Sequence, residues 1–112
     1  MNEPYITRQT LLQRAKDQDD SKAWEELIDF YKNYIYVIIR SMGIHHHDSE
    51  DILQKVSLRM WKGLPKYQYT PGKAKFRGWV STVTKNAVLA FIDKRKKHAE
   101  KLERAEKENT LT

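Results

Sequence analysis

Apolar residues recur at three- and four-residue spacing between Lys22 and Met42, and this repeat constrains the fold more than any other feature. The spacing predicts one long helix with a wide buried face. Gly43 follows at the position where a glycine commonly ends a helix. The apolar face consists of Trp24, Leu27, Ile28, Tyr31, Ile35, Ile38 and Met42.

Three further helices are predicted around the long one, and the alternation typical of a β-strand is not sustained anywhere in the sequence. A short helix is expected over Thr7–Lys16, after which the run DQDDS offers N-caps for the long helix. The next helix is expected to begin at Asp48 and to reach about Gly63, before the break Leu64-Pro65. The last helix begins near Lys75. These segments predict an all-α bundle of about four helices, with a basic loop before the last one.

The length of 112 residues fits one domain. It has no cysteine, so neither a disulfide framework nor a thiolate metal site is expected. The N-terminus lacks the apolar run of a signal peptide, and the longest apolar cluster, Tyr34–Ile39, is far shorter than a membrane span. We therefore expect a soluble, cytoplasmic protein without a membrane partner. Residues 1–97 are expected to form the domain, and residues 98–112 a charged helical tail or the start of an interdomain linker.

Positive charge is concentrated in residues 62–97, which hold ten Lys or Arg residues and a single acid, Asp93. The rest of the chain is mildly acidic, so this segment produces the whole net charge of +6. Aromatic rings stack on bases while Lys and Arg pair with phosphates, so the segment predicts single-stranded nucleic acid as the ligand. A basic helix that is merely solvated is the alternative. The basic residues are Lys62, Lys66, Lys73, Lys75, Arg77, Lys85, Lys94, Arg95, Lys96 and Lys97, and the interleaved rings are Tyr67, Tyr69, Phe76 and Trp79.

The helix predicted from Asp48 has a second side that its core stripe does not explain. On a helical wheel, Leu58 and Trp61 lie outside the core stripe, beside an acid, Asp51, and an amide, Gln54. This mixture predicts a protein interface, unless the two apolar side chains are buried under a neighbouring helix. The core stripe consists of Ile52, Leu53, Val56 and Met60.

The last helix carries a narrow polar strip beside Trp79, on residues at i, i+7, i+11 and i+18. Its donors and acceptors can read base edges, although a solvated strip is the alternative. The strip consists of Lys75, Thr82, Asn86 and Asp93. The core stripe consists of Phe76, Val80, Val83, Ala87 and Phe91, with Trp79 and Ala90 at its edge.

The loop before the last helix, residues 66–75, is expected to wrap one unstacked base. Tyr67 and Tyr69 supply rings for stacking, and Pro71-Gly72 predicts a tight turn. One of the two tyrosines is expected only to anchor the connection between the helices.

Three consecutive histidines, His45–His47, stand before Asp48 and Glu50 and raise the question of a metal site. Consecutive side chains are expected to point in different directions, and structural zinc sites draw on well-separated ligands. The sequence shows no nucleophile–base pair and no phosphate-binding glycine loop. We therefore expect no metal, no cofactor and no enzymatic activity.

Two segments, DSEDILQKVSLRMWKGLPKY and FRGWVSTVTKNAVLAFIDKRKK, combine motifs that are weak alone and specific in this order. The motifs are an acidic opening, an R-x-W-x-x-hydrophobic-P stretch, and F-x-x-W followed by a Lys-Asn pair. Over residues 7–97 the chain resembles the second conserved domain of bacterial RNA polymerase sigma factors of the extracytoplasmic-function (ECF) group. The matching positions are Asp48, Ser49, Glu50, Asp51, Gln54, Arg59, Trp61, Pro65, Phe76, Trp79, Lys85 and Asn86.

The resemblance implies two macromolecular partners. In the family, the helix with the acidic opening docks on the clamp coiled coil of the largest subunit of RNA polymerase core. The loop and last helix melt the promoter minus-ten element and hold its non-template strand, with one base flipped into the loop. Together with the surfaces described above, the resemblance predicts six polymerase-binding residues, namely Asp48, Asp51, Gln54, Leu58, Arg59 and Trp61. The DNA-binding residues are then Tyr67, Tyr69, Lys73, Lys75, Trp79, Thr82, Lys85, Asn86, Lys94, Arg95, Lys96 and Lys97. An anti-sigma protein is a further candidate partner.

The chain departs from the family pattern in three respects. Lys55 stands where the family usually has Glu and Ser57 where Phe is common, and the tyrosine-rich loop is unusual. The helix-turn-helix domain of the family does not follow residue 112. We expect an excised domain that ends in the linker, and a truncated relative is the alternative. A general single-stranded nucleic-acid-binding module that works without polymerase is the alternative function. Such a module has no need of the face formed by Asp51, Gln54, Leu58 and Trp61.

Overall fold

Every regular element in the described part of the computed structural model, residues 11–68 and 75–111, is helical. The all-α prediction is thereby confirmed. None of these helices has the length and apolar content that crossing a membrane requires. The elements are a helical segment at residues 11–15, α1 (Ser21–Ser41), α2 (His46–Gly63), a 3₁₀ turn (Leu64–Lys66) and α3 (Phe76–Leu111).

The first long helix, α1, begins and ends where the sequence predicts. The Asp20 carboxylate accepts a hydrogen bond of 3.0 Å from the Ala23 N–H and so caps the helix. This hydrogen bond lowers the pKa of the Asp20 carboxyl below its usual value. At the other end, Gly43 has a φ of 85°, a left-handed conformation that an L side chain rarely adopts.

Removal of the Asp20 cap should lower stability in a pH-dependent way. We expect Asp20→Ala to lower the melting temperature at neutral pH, because the Ala23 N–H loses its acceptor. A carboxyl whose pKa is lower in the folded than in the unfolded state stabilises the fold at every pH above its pKa in the unfolded state. That contribution disappears as the pH falls through the folded pKa. Thermal unfolding of both proteins at neutral and acidic pH should show their difference in melting temperature shrinking on acidification. A difference that persists unchanged would contradict this account.

The second helix, α2, begins at His46, two residues before the predicted start at Asp48. His45 is extended, and its carbonyl oxygen accepts hydrogen bonds from the Asp48 N–H at 3.1 Å and the Ser49 N–H at 2.9 Å. His45 is therefore the N-cap, and Asp48 lies in the first turn rather than at the cap. The Asp48 carboxylate instead accepts a hydrogen bond of 3.0 Å from Arg95 on α3.

The core lies between the three long helices, and the buried row of α3 differs in part from the predicted stripe. Thr84 and Val88 are fully buried although the sequence pattern did not assign them to the core, whereas Ala90 is exposed. Thr84 is tolerated there because its hydroxyl donates to the Val80 carbonyl oxygen at 2.8 Å. The largest fully buried side chains among the described residues are Leu27, Ile35, Ile39, Ser49, Ile52, Val56, Met60, Leu64, Val80, Thr84 and Val88.

Only the first part of the 36-residue helix α3 packs on the other helices. From Ile92 to Thr110 every side chain is exposed. The helix passes residue 97 without a break, so residues 98–111 continue it as a helical tail. The division of the chain into a domain and a linker stays a prediction.

Candidate functional site

Four aromatic rings, Tyr31, Tyr67, Phe76 and Trp79, join the end of the 3₁₀ turn to α1 and the start of α3; we call them the aromatic cluster. The centroid of the Tyr67 ring lies 5.1 Å from that of Phe76 and 5.2 Å from that of Trp79. The Phe76 centroid lies 5.4 Å from that of Tyr31. Since Tyr67 precedes residues 69–74 and Phe76 follows them, these contacts fix the two ends of the basic loop.

Tyr67 has the contacts expected of the tyrosine that anchors the connection. It is half-buried in the aromatic cluster, and the Lys16 ammonium lies 5.7 Å from its ring centroid. The other loop residues of the predicted DNA-binding set, Tyr69 and Lys73, and the predicted Pro71-Gly72 turn lie outside the described residues.

Trp79 packs closely against the end of α2. A Cβ atom added to Gly63 would lie 3.2 Å from Trp79 Cζ2, so the glycine gives the indole ring the space that it occupies. The indole is half-buried by this contact and by its neighbours in the aromatic cluster. Trp79 therefore fixes the start of α3 while part of its ring remains accessible beside the polar strip.

Four exposed residues, called here the polar row, are Lys75, which directly precedes α3, and Thr82, Lys85 and Asn86 on α3. The Thr82 hydroxyl donates to the Gly78 carbonyl oxygen at 3.0 Å, so its oxygen remains available as an acceptor. The side chains of Lys85 and Asn86 have no hydrogen-bond or ion-pair partner within residues 11–68 and 75–111. The Asn86 amide can thus donate and accept at a base edge, whereas Asp93, the fourth residue of the predicted strip, pairs with Lys97 at 3.1 Å.

The basic cluster at residues 94–97 contains two kinds of side chain. Arg95 reaches from α3 to Asp48 on α2 at 3.0 Å, and Lys97 pairs with Asp93 in its own helix. Arg95 therefore connects two helices, a role that competes with the predicted phosphate contact. Two exposed side chains form no ion pair with the described residues and keep their full charge for phosphates, namely Lys94 and Lys96.

The predicted second side of α2 is open. Leu58 is 52% exposed and Trp61 37% exposed, so within residues 11–68 and 75–111 no helix buries Leu58, and Trp61 is covered only in part. Asp51 makes an ion pair of 3.1 Å with Lys55, but both side chains remain mostly exposed. This surface, called here the α2 face, comprises Asp51, Gln54, Leu58, Arg59 and Trp61. Asp48 stands apart from it, because its side chain is only 19% exposed and is held by Arg95.

Sequence reasoning missed one contact of the basic segment and two exposed apolar residues on α3. The Arg77 guanidinium lies 4.5 Å from the ring centroid of Tyr34 on α1 and so supports packing between helices. Leu89 and Ile92, both exposed, continue the polar row by one and two further turns of α3. The apolar spacing of α3 could have indicated Leu89 and Ile92, but no local pattern reveals a contact between Arg77 and α1.

The three histidines at the start of α2 do not point apart, so that expectation is wrong. Each of His45, His46 and His47 offers a ring nitrogen, and these atoms all lie within 4.8 Å of one another. They can converge because His45 is extended while His46 and His47 belong to the first turn of a helix.

Residues 27–98 match the Sigma-70 region 2 family, which is more than half of the chain, and the chain belongs to that family. It is similar to the ECF RNA polymerase sigma factor SigE of Mycolicibacterium smegmatis, with 29% identity over 79 residues, 70% of this chain and 29% of that protein. It is also similar to SigM of Bacillus subtilis, with 29% identity over 73 residues, 65% of this chain and 42% of that protein. SigW of the same organism is 27% identical over 77 residues, 69% of this chain and 40% of that protein.

The resemblance to ECF sigma factors is confirmed by these matches. The chain spans less than half the length of these relatives. No solved structure matches it.

Proposed function

We propose that this chain is a transcription initiation domain that binds RNA polymerase core and the single-stranded non-template strand of the promoter minus-ten element. The observation that carries the proposal is that the domain leaves two chemically different surfaces uncovered. The α2 face is apolar and mixed in charge, whereas the polar row on α3 is basic and rich in hydrogen-bonding groups. A protein partner fits the first surface and a polyanion with readable bases fits the second.

The α2 face suits the clamp coiled coil of the largest polymerase subunit. Leu58 and Trp61 supply apolar area that gains stability from burial, and Trp is common among the residues that dominate interfaces. The charges of Asp51 and Arg59 lie beside these two side chains. They fix the orientation of the domain on the polymerase and contribute less to the affinity than the apolar contacts do. Because the apolar side chains are not needed for the core, they are free to serve the partner.

The polar row suits the non-template strand. The aromatic cluster fixes both ends of the basic loop, so an unstacked base at the loop would lie close to Trp79, two turns before Asn86 on α3. Unpaired lysines along α3 provide phosphate contacts. In this arrangement Asn86 and Thr82 contact base edges, while Lys94 and Lys96 contact the strand backbone.

Strand choice is the first test. We expect the complex of this chain with polymerase core to bind a minus-ten non-template oligonucleotide more tightly than the matched duplex, with affinity falling steeply as salt rises. Fluorescence anisotropy at several salt concentrations measures both effects, and core alone is the control. Equal affinity for single strand and duplex at matched salt would contradict the proposed readout of an unpaired strand.

The charge on the α2 face gives a second test. We expect Asp51→Arg to weaken core binding by roughly 1–3 kcal/mol, because a complementary charge is lost in a desolvated contact. The fold should be unaffected, since the Asp51–Lys55 pair is exposed and such pairs contribute little stability. Quantitative pull-down on immobilised core, with circular dichroism of both proteins, checks the prediction. Unchanged core binding by folded Asp51→Arg protein would remove Asp51 from the interface.

Other parts of the proposal follow from the family. The chain acts by binding and not by catalysis, and it works in the cytoplasm, where the polymerase is. An anti-sigma protein that covers the α2 face or the polar row would block one of the two partners. A chain that bound single strands well and ignored polymerase core would instead be the general nucleic-acid-binding module.

A further inference from the structure

We propose that His45, His46 and His47 form a site for one divalent transition-metal ion of borderline softness, such as Zn²⁺ or Ni²⁺. This site goes beyond the proposed transcription function and is independent of it. The three residues lie where α1 connects to α2, and all three side chains are exposed, so an ion can reach them directly from solvent.

The ring positions are close to those that a shared ion requires. A tetrahedral ion bound to two imidazole nitrogens at about 2.0 Å holds the two ring centroids roughly 5 Å apart. The observed centroid separations are 4.8 Å for His45 and His47, 5.8 Å for His46 and His47, and 5.9 Å for His45 and His46. The rings are inclined to one another by 41° to 86°, so none of the pairs is stacked in parallel.

The candidate ligand atoms need only small side-chain rotations to converge. They lie within 4.8 Å of one another, and two nitrogens on one tetrahedral ion are roughly 3.3 Å apart. Exposed side chains rotate without disturbing a core. The backbone beneath them is already fixed, because the His45 carbonyl oxygen accepts the N–H groups of Asp48 and Ser49 and the Ser49 hydroxyl at 2.8 Å.

Nearby charges set the affinity of this site. Asp48 Oδ2 lies 3.8 Å from His47 Nε2, so a carboxylate adjoins the ligands and offsets the charge of the ion. Arg95 shares this carboxylate, and the positive end of the α2 dipole also disfavours a cation. We therefore expect moderate affinity, with three histidine ligands and water completing the coordination.

The donor set selects the class of ion. Three neutral imidazoles suit Zn²⁺, Ni²⁺ and Cu²⁺, whereas Mg²⁺ and Ca²⁺ prefer oxygen ligands. Mg²⁺ is therefore a control that separates a histidine site from general attraction to the acidic side chains nearby, such as Asp48 and Glu50.

Isothermal titration of the chain, prepared without a polyhistidine tag, with Zn²⁺ and Ni²⁺ tests the proposal. We expect one ion per chain, no comparable binding of Mg²⁺, and a loss of affinity of more than about tenfold in His46→Ala. Asp48→Asn should weaken binding less than His46→Ala does, because it acts through the charge beside the site. His98→Ala is the matched control, because His98 is an exposed histidine that is not among the three whose ring nitrogens lie within 4.8 Å of one another, and it should leave the affinity unchanged.

Three results would overturn the proposal. They are equal losses of affinity in His46→Ala and His98→Ala, binding of Mg²⁺ as tight as that of Zn²⁺, and an absence of one-to-one binding by the unmodified chain. Circular dichroism of each variant checks that the fold is kept, so that a loss of binding reports on the ligands.

Discussion

Replacement of Leu58 by aspartate should cause the largest loss of polymerase binding among single changes on the surface of this domain. We expect the dissociation constant for RNA polymerase core to rise roughly 30-fold or more, which corresponds to about 2 kcal/mol. The reason is that Leu58 lies on the α2 face with half of its side chain exposed, and a buried carboxylate in a protein interface is costly. Surface plasmon resonance with immobilised core measures the change.

Leu102 provides the matched control for this experiment. It is 55% exposed, nearly the same fraction as Leu58, but it lies on the distal part of α3, where the helix makes no contact with the core of the domain. Leu102→Asp should leave core binding unchanged, and neither variant should alter the cooperative unfolding of the domain. Equal losses in both variants would mean that added negative charge, and not the α2 face, weakens binding.

The second large effect should appear at Asn86 and should depend on the base. Asn86→Ala should cost about 1–3 kcal/mol for the favoured base at one minus-ten position and much less for the other bases, because the amide reads a base edge. In the structure this amide is exposed and has no partner among the described residues, so alanine removes no internal contact. Binding of single-stranded oligonucleotides with each position varied in turn, to the complex of chain and core, measures the preference.

Lys96 supplies the contrast to Asn86. Lys96 is exposed and unpaired within residues 11–68 and 75–111, so its charge is available to a phosphate. Lys96→Ala should weaken all sequences alike and reduce the slope of log affinity against log salt by about one unit. If Asn86→Ala also weakened every base equally, the amide would serve the fold of the loop, and the readout would have to come from the tyrosines.

The sequence predicted the helices and the open α2 face because both depend on local periodicity. The apolar repeat of α1 and the glycine at its end are local signals, and Asp20 and Gly43 lie where those signals place the caps. Leu58 and Trp61 fall off the core stripe of α2 on any helical wheel. The wheel does not say whether a neighbouring helix covers these two side chains. In the structure Leu58 and Trp61 both remain exposed.

The parts that sequence reasoning missed depend either on a contact between segments far apart in the chain or on local backbone geometry that residue type alone does not reveal. The sequence predicts that α2 begins at Asp48, but His45 caps the helix and the Asp48 carboxylate bonds to Arg95 on α3. The apolar pattern leaves Thr84 out of the core because it is polar, but the hydrogen bond to the backbone of its own helix allows its burial. The convergence of the three histidines depends on a change from extended to helical backbone within them, which no spacing rule contains.

The most direct test of the proposed function is the binding of a minus-ten non-template oligonucleotide by the chain alone, by polymerase core alone, and by the two together. We predict that the mixture binds the oligonucleotide more tightly than either component does, and that Leu58→Asp removes this gain while Leu102→Asp keeps it. Affinity in the mixture equal to that of core alone, under conditions where the chain is bound to core, would contradict the proposal. So would an affinity of the chain alone that equals that of the mixture.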